Sequence, residues 1–183
     1  MKILNVNSKN FDKNLEFLLL KRKSKIKLKK IYVSNIIRNV KKNGDKALIK
    51  YEKKFNKNLN LFPSKKQISN SITKLDNNVR NAIDIAYNRI YKFHSLQKFK
   101  NINYKDKLGN KLEYKYSPLE SVAIYVPGST ASYPSSVLMN AIPALVAGVK
   151  RIVMINPAYE GKLNPAVLYA AKKCKIKEIY SVG

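Results

Sequence analysis

The chain has 183 residues, of which 45% are hydrophobic, and a formal net charge of +26. This length suffices for one good core or two small ones, and the hydrophobic content predicts a packed body rather than a disordered chain. No apolar run approaches the roughly 20 residues that a membrane-spanning helix needs. The first residues do not resemble a signal peptide, and the single cysteine, Cys174, excludes an internal disulfide. We expect a cytoplasmic protein without a membrane partner.

The positive charge is typical of proteins that bind nucleic acids. However, only five of the 37 basic residues are arginine, and 30 of the 37 lie before residue 121. Nucleic-acid readers favour arginine for its bidentate fork, whereas this chain scatters lysine among asparagine and isoleucine. The pattern favours a lysine-rich solvated surface, and we expect no specific nucleic-acid partner. A nucleic-acid-binding protein is the alternative from another functional class.

Residues 1–120 are predicted to form a mainly helical N-terminal region of the first domain. Residues 21–30 are the strongest charge run, which is either a flexible basic segment or part of the ordered structure. Ser34 is expected to cap a helix, and Gly44 supplies a left-handed stop before a second helix. The pattern therefore predicts a helical hairpin.

A longer helix is predicted after Asp76, because apolar residues from Val79 to Phe93 recur on one stripe. His94, the only histidine, lies beside this stripe. No second metal ligand is near it in sequence, which favours a structural, hydrogen-bonded histidine over a ligand. A turn at Gly109 and a strand over residues 112–116 follow.

From Ser121 the pattern changes to alternating strands and helices. Residues 122–126, 151–155 and 177–182 are short apolar segments typical of buried parallel strands. A helix over residues 137–149 and another that begins at Asn164 and Pro165 separate them. The fold class is therefore α/β: an N-terminal helical region, followed by a βαβαβ parallel-sheet unit that starts an α/β domain at residue 121.

The loop from Tyr125 to Tyr133 follows the first of these strands. Ligands of open α/β sheets bind at the carboxyl ends of the strands, where this loop lies. Gly128 permits close backbone approach, and several hydroxyl groups follow it. The G-x-G-x-x-G fingerprint of dinucleotide binding is absent. We favour a ligand loop over a merely structural turn.

Residues 121–149, SVAIYVPGSTASYPSSVLMNAIPALVAGV, closely resemble the signature of the histidinol dehydrogenases. The likeness continues through NPAVLYAA (164–171) and EIYSVG (178–183). Weaker matches lie upstream, in NGDKAL (43–48) and FHSLQ (93–97). The resemblance covers the chain from about residue 33 onward.

This resemblance implies oxidation of L-histidinol to L-histidine through histidinaldehyde, with NAD as the oxidant and a zinc ion holding the substrate. It further implies a homodimer and a doubly wound architecture related to the aldehyde dehydrogenases. The NAD-contacting tyrosine of the family corresponds to Tyr125, our candidate cofactor-binding residue. A motif glycine is replaced by Ser129, which would strain the loop if that position needs a positive φ.

The resemblance also implies that the zinc ligands, the Glu-His acid/base pair and the substrate-binding serine follow Gly183. We therefore expect no catalytic and no metal-ligating residue within the 183 residues. Catalytic zinc needs about three protein ligands, and one histidine with one distant cysteine is too few. Cys174 is interpreted as a buried helix residue rather than a nucleophile. A catalytically inactive truncated product is an alternative to an active enzyme.

Overall fold

The computed structural model describes residue 4 and residues 6–128, 133–158 and 160–183, without the side chains of residues 21–29. The chain divides into two compact units, Met1–Lys50 and Tyr51–Gly183. The predicted domain boundary after residue 120 stays a prediction. In the described part of the chain, no helix is both long and apolar enough to cross a membrane.

The first helix, α1 (Phe11–Asn56), contains the backbone of the basic run 21–30. Gly44 interrupts it with a non-helical conformation (φ 57°, ψ −142°), which confirms the predicted stop. The predicted helix start at Ser34 is wrong, because Ser34 lies inside α1. Neither glycine nor proline occurs between Phe11 and Gly44, and lysine and leucine favour helix, so nothing in this segment ends the helix earlier.

Two capped helices follow, α2 (Lys65–Thr73) and α3 (Asn77–Ser95). The α3 prediction is confirmed: the Asp76 side chain accepts hydrogen bonds from the first amides of the helix. Helix α2 was not predicted from the sequence. Its signal was present, because Ser64 and Gln67 form a capping box in which each side chain bonds the other's backbone amide.

An antiparallel hairpin comes next, formed by β1 (Ile102–Lys105) and β2 (Lys111–Tyr114). The predicted strand at residues 112–116 corresponds to β2, and β1 was not predicted. Gly109 has a φ of 91°, as the predicted turn requires. The Asp106 carboxylate accepts hydrogen bonds from the amides of Leu108 and Asn110, which closes the turn.

The βαβαβ unit comprises β3 (Ser121–Tyr125), α4 (Pro134–Ala147), β4 (Arg151–Ile155), α5 (Pro165–Lys173) and β5 (Glu178–Tyr180). The three strands are parallel in the order β3-β4-β5. The Asn164 side chain caps α5, and Gly148 ends α4 with a φ of 92°. The predicted α/β fold class is confirmed.

The hydrophobic core lies between one face of this sheet and helices α3, α4 and α5. Alternate strand residues point to this face, and they are the buried ones. Each layer contributes large side chains that are almost fully enclosed; among them are Ile124, Met154, Ile179, Ile142, Leu168 and Ile83. This burial fixes the sheet and thereby the positions of its strand ends.

Two methionines test this core by the same substitution. Met154 in β4 is fully buried, whereas Met139 on α4 is 55% exposed. We expect Met154→Ala to lower the free energy of unfolding by about 2–5 kcal/mol, because it leaves a cavity. Met139→Ala should stay within about 0.5 kcal/mol of the parent chain. Urea unfolding measures both, and equal losses would contradict this description of the core.

Candidate functional site

The carboxyl ends of the three parallel strands form one edge of the sheet. The Val126 amide donates to the Ile155 carbonyl (2.8 Å), and the Asn156 amide donates to the Tyr180 carbonyl (2.9 Å). The buried Asn156 side chain also donates to the Val126 carbonyl (2.9 Å). These bonds hold the strand ends together where open α/β sheets bind their ligands.

Two glycines lie in close contact with Pro157, which follows β4. A Cβ atom on Gly128 would lie 1.9 Å from the Pro157 carbonyl oxygen. A Cβ atom on Gly183 would lie 2.6 Å from Cγ of the same proline. Both distances are shorter than any real Cβ contact, so the segments after β3, β4 and β5 can pack this closely only with glycine at these two positions.

Residues 56–61 close the β5 end of this edge through buried polar groups. Asn58 is fully buried, and its Nδ2 atom donates to the carbonyl (3.0 Å) and hydroxyl (3.1 Å) oxygens of Ser181. The Ser181 amide donates to the Leu61 carbonyl (2.8 Å). Buried polar groups are costly unless hydrogen-bonded, and these have their partners.

Tyr125 ends β3 with 57% of its surface exposed. Its neighbour Ile124 points into the core, so Tyr125 points to the opposite face of the sheet. The strand register aligns Tyr125 with Ile155 and Tyr180, and the Phe62 ring meets the Tyr180 ring edge-on at 5.6 Å. Tyr125 thus belongs to a row of apolar and aromatic side chains that ends in an accessible tyrosine.

A cavity of about 350 Å³ opens at the ends of β3 and β4. Polar groups and backbone line part of it, among them Gly128, Asn156, Glu160, Lys162 and Asn164. The Asn164 side chain already accepts hydrogen bonds from the amides of Ala166 and Val167 at the start of α5. The cavity has the size of a small-molecule site, but its helix N-terminus is not free for an anion.

The predicted ligand loop is described only at its two ends. Residues 129–132 lie outside the described residues, so the strain expected at Ser129 stays a prediction. Helix α4 begins after Tyr133, whose own side chain makes no capping hydrogen bond to the helix.

Among the described residues, no three His, Cys, Asp or Glu side chains come together as a metal site. His94 lies in the last turn of α3, where its Nδ1 atom lies 2.6 Å from Oε1 of Gln97. It lines a separate cavity of about 480 Å³ beside the end of α4. Cys174 is buried after α5, and burial raises the pKa of its thiol to about 12. The described residues do not fit a catalytic zinc ion.

A polar cluster between α3 and α5 was missed by sequence reasoning. The Tyr169 hydroxyl donates to the Asp84 carboxylate at 3.1 Å, and Lys173 forms an ion pair with the same carboxylate at 2.9 Å. Burial, with the hydrogen bond to Asp84, raises the pKa of Tyr169. The cluster joins two helices and lies in neither cavity, so it is a packing contact.

Comparison with known proteins identifies the family. The profile of the histidinol dehydrogenases matches residues 20–183, which is most of the chain. The chain belongs to the histidinol dehydrogenase family. Over all 183 residues it is 71% identical to a protein named histidinol dehydrogenase from Pelagibacter ubique, of which it covers 43%. It is 44% identical over 155 residues to a relative from Agrobacterium fabrum, covering 36% of that protein.

A solved structure supports the same relationship. The crystal structure of histidinol dehydrogenase from Elizabethkingia anophelis matches 84% of this chain with a TM-score of 0.79 and 36% sequence identity. The match covers 36% of that chain. This member of the histidinol dehydrogenase family thus spans less than half the length of the relatives that it matches.

The burial of Cys174 predicts that its thiol reacts slowly in the folded chain. Disulfide exchange needs the thiolate, and a thiol whose pKa is about 12 is almost entirely protonated near neutral pH. We expect the folded chain to resist an aromatic disulfide reagent at mildly alkaline pH. The same chain in concentrated urea, as the positive control, should release one equivalent of the coloured thiol. Rapid labelling of the folded chain would contradict the burial.

Proposed function

We propose that this chain supplies part of the NAD site of a histidinol dehydrogenase, an oxidoreductase of histidine biosynthesis. The reaction is the oxidation of L-histidinol to L-histidine through histidinaldehyde. The observation that carries the proposal is the 71% identity, over the whole chain, to a protein of that name. The full-length enzyme is proposed to be a cytoplasmic homodimer with L-histidinol as its small-molecule substrate.

The strand ends suit NAD by their chemistry. Tyr125 offers an accessible ring and hydroxyl, which can lie against a nucleotide and direct one hydrogen bond to it. The loop after Tyr125 leads into the N-terminus of α4, and helix N-termini suit a pyrophosphate. We propose that these groups hold NAD, which accepts hydride from the substrate when bound.

Zinc and the proton-transfer groups are proposed to come from the rest of the full-length enzyme. The described residues offer no metal cluster, and their only histidine is paired with Gln97 away from the strand ends. Hydride transfer from an alcohol also requires a base to accept the hydroxyl proton. We therefore assign NAD binding to this chain and assign it no step of the chemistry.

This division of roles predicts that the 183-residue chain alone does not oxidise histidinol. A chimaera that joins it to the uncovered part of the Pelagibacter ubique relative should form NADH steadily from L-histidinol and NAD. NADH absorbance measures both, and the intact relative is the positive control. Steady turnover by the isolated chain would overturn the assignment of roles. A folded but inactive chimaera would count against the proposed function.

Tyr125 should contribute to NAD affinity more than to folding. In the active chimaera, we expect Tyr125→Ala to raise the KM for NAD roughly tenfold, which is about 1.4 kcal/mol. Tyr125→Phe should have a smaller effect because the ring remains. Tyr104→Ala is the matched control, since Tyr104 in the hairpin is 56% exposed and lies on another element. An unchanged KM with a sharply lowered Tm would show that Tyr125 only packs.

A further inference from the structure

Glu52 is a carboxylate buried near the end of α1. Only 1% of its surface is exposed, and none of the ion pairs between described residues includes it. Its Oε1 atom accepts a hydrogen bond from the Gly183 amide at 2.8 Å, and its Oε2 atom accepts one from Nδ2 of Asn56 at 2.8 Å. Burying a carboxylate is costly, and these two donors compensate for part of that cost.

The bond to Gly183 acts on the tightest part of the strand-end edge. Gly183 packs against Pro157, and Pro157 packs against Gly128, so the three backbone segments leave no space between them. Asn56 belongs to the same contact, because a Cβ on Gly183 would lie 3.1 Å from its Nδ2 atom. A shift of Gly183 must therefore move Pro157 and with it the backbone that follows Tyr125.

The fold has other contacts that hold β5 in place. Ser181 is fixed by the Leu61 carbonyl and by Asn58, and Ile179 is anchored in the core. Glu52 is not part of the hydrophobic core and bonds a residue beyond the end of β5. Glu52 thus contributes to the position of the strand-end edge and not to the formation of the sheet.

We propose that Glu52 is a positioning residue for the nucleotide site, acting through Gly183 and Pro157 on the surface that carries Gly128 and Tyr125. The inference rests on the proposed role of this edge in binding NAD. Glu52 does not itself contact the nucleotide; it sets the spacing of the backbone against which the nucleotide lies.

The test uses the 183-residue chain and changes the two side chains of the hydrogen-bonded pair. Glu52→Met keeps most of the volume but removes both acceptor oxygens, so the Gly183 amide and Nδ2 of Asn56 lose their bonds to this side chain. We expect faster hydrogen exchange at the Gly183 amide and roughly fivefold weaker NADH binding, measured by fluorescence titration. Asn56→Asp alone places two carboxylates together and should weaken binding at least as much.

The double variant Glu52→Gln/Asn56→Asp restores a donor–acceptor pair and should recover both Gly183 protection and NADH affinity. Ile142→Val, a core substitution on α4, is the stability control and should change neither readout. Unaltered exchange at the Gly183 amide in Glu52→Met would show that Glu52 does not hold Gly183. Faster exchange with unaltered NADH affinity would make Glu52 merely structural. Absence of NADH binding by the parent chain would instead overturn the proposed NAD role, and the positioning role with it.

Discussion

Burial of one sheet face beneath α3, α4 and α5 is the constraint on which the rest of the structure depends. The parallel strands require crossover helices, and α4 and α5 are those crossovers. Their apolar side chains and those of α3 enclose Ile124, Met154 and Ile179 from the strands. Alternation along each strand then sends every second side chain to the other face. Because Ile124 points into the core, its neighbour Tyr125 points to the other face of the sheet, where it is accessible.

The strand ends show a second constraint, which is backbone packing. Pro157 fills the space that a Cβ on Gly128 or Gly183 would occupy. Two glycines on different strand ends are therefore required for one reason, close contact with the same residue, and not for positive φ. This arrangement makes the edge sensitive to small displacements, and buried polar side chains such as Asn58 and Asn156 hold it without taking part in the core.

The NAD-binding role proposed for this edge of the sheet rests on membership in the histidinol dehydrogenase family. The described residues offer a cavity of small-molecule size at the strand ends and no metal site. The chain covers 43% of the Pelagibacter ubique relative. The function proposed for this chain is limited to cofactor binding, and it assigns no role to the positive charge.

The sequence by itself determined the order of elements after residue 121 and the family. Local signals suffice there: apolar runs mark β3 and β4, and Asn164 and Gly148 mark helix ends at the residues where the structure has them. Local signals failed at Ser34, which can cap a helix but lies inside one. The resemblance to the family identified Tyr125 as a candidate cofactor-binding residue. The apolar pattern of the sequence placed Tyr125 at the end of a strand.

Only the tertiary structure decided which distant residues meet at the strand ends. Glu52 and Gly183 are 131 positions apart, and the Asp84–Tyr169 bond spans 85 positions. Neither pairing leaves a periodic or capping signal, because it depends on how the chain returns after several elements have packed. The sequence indicates that Gly128 permits a close backbone approach, but it does not show which residue approaches Gly128 or Gly183. Glycine is required at both positions because Pro157 lies against them. Pro157 comes into this contact only when the three strands lie side by side.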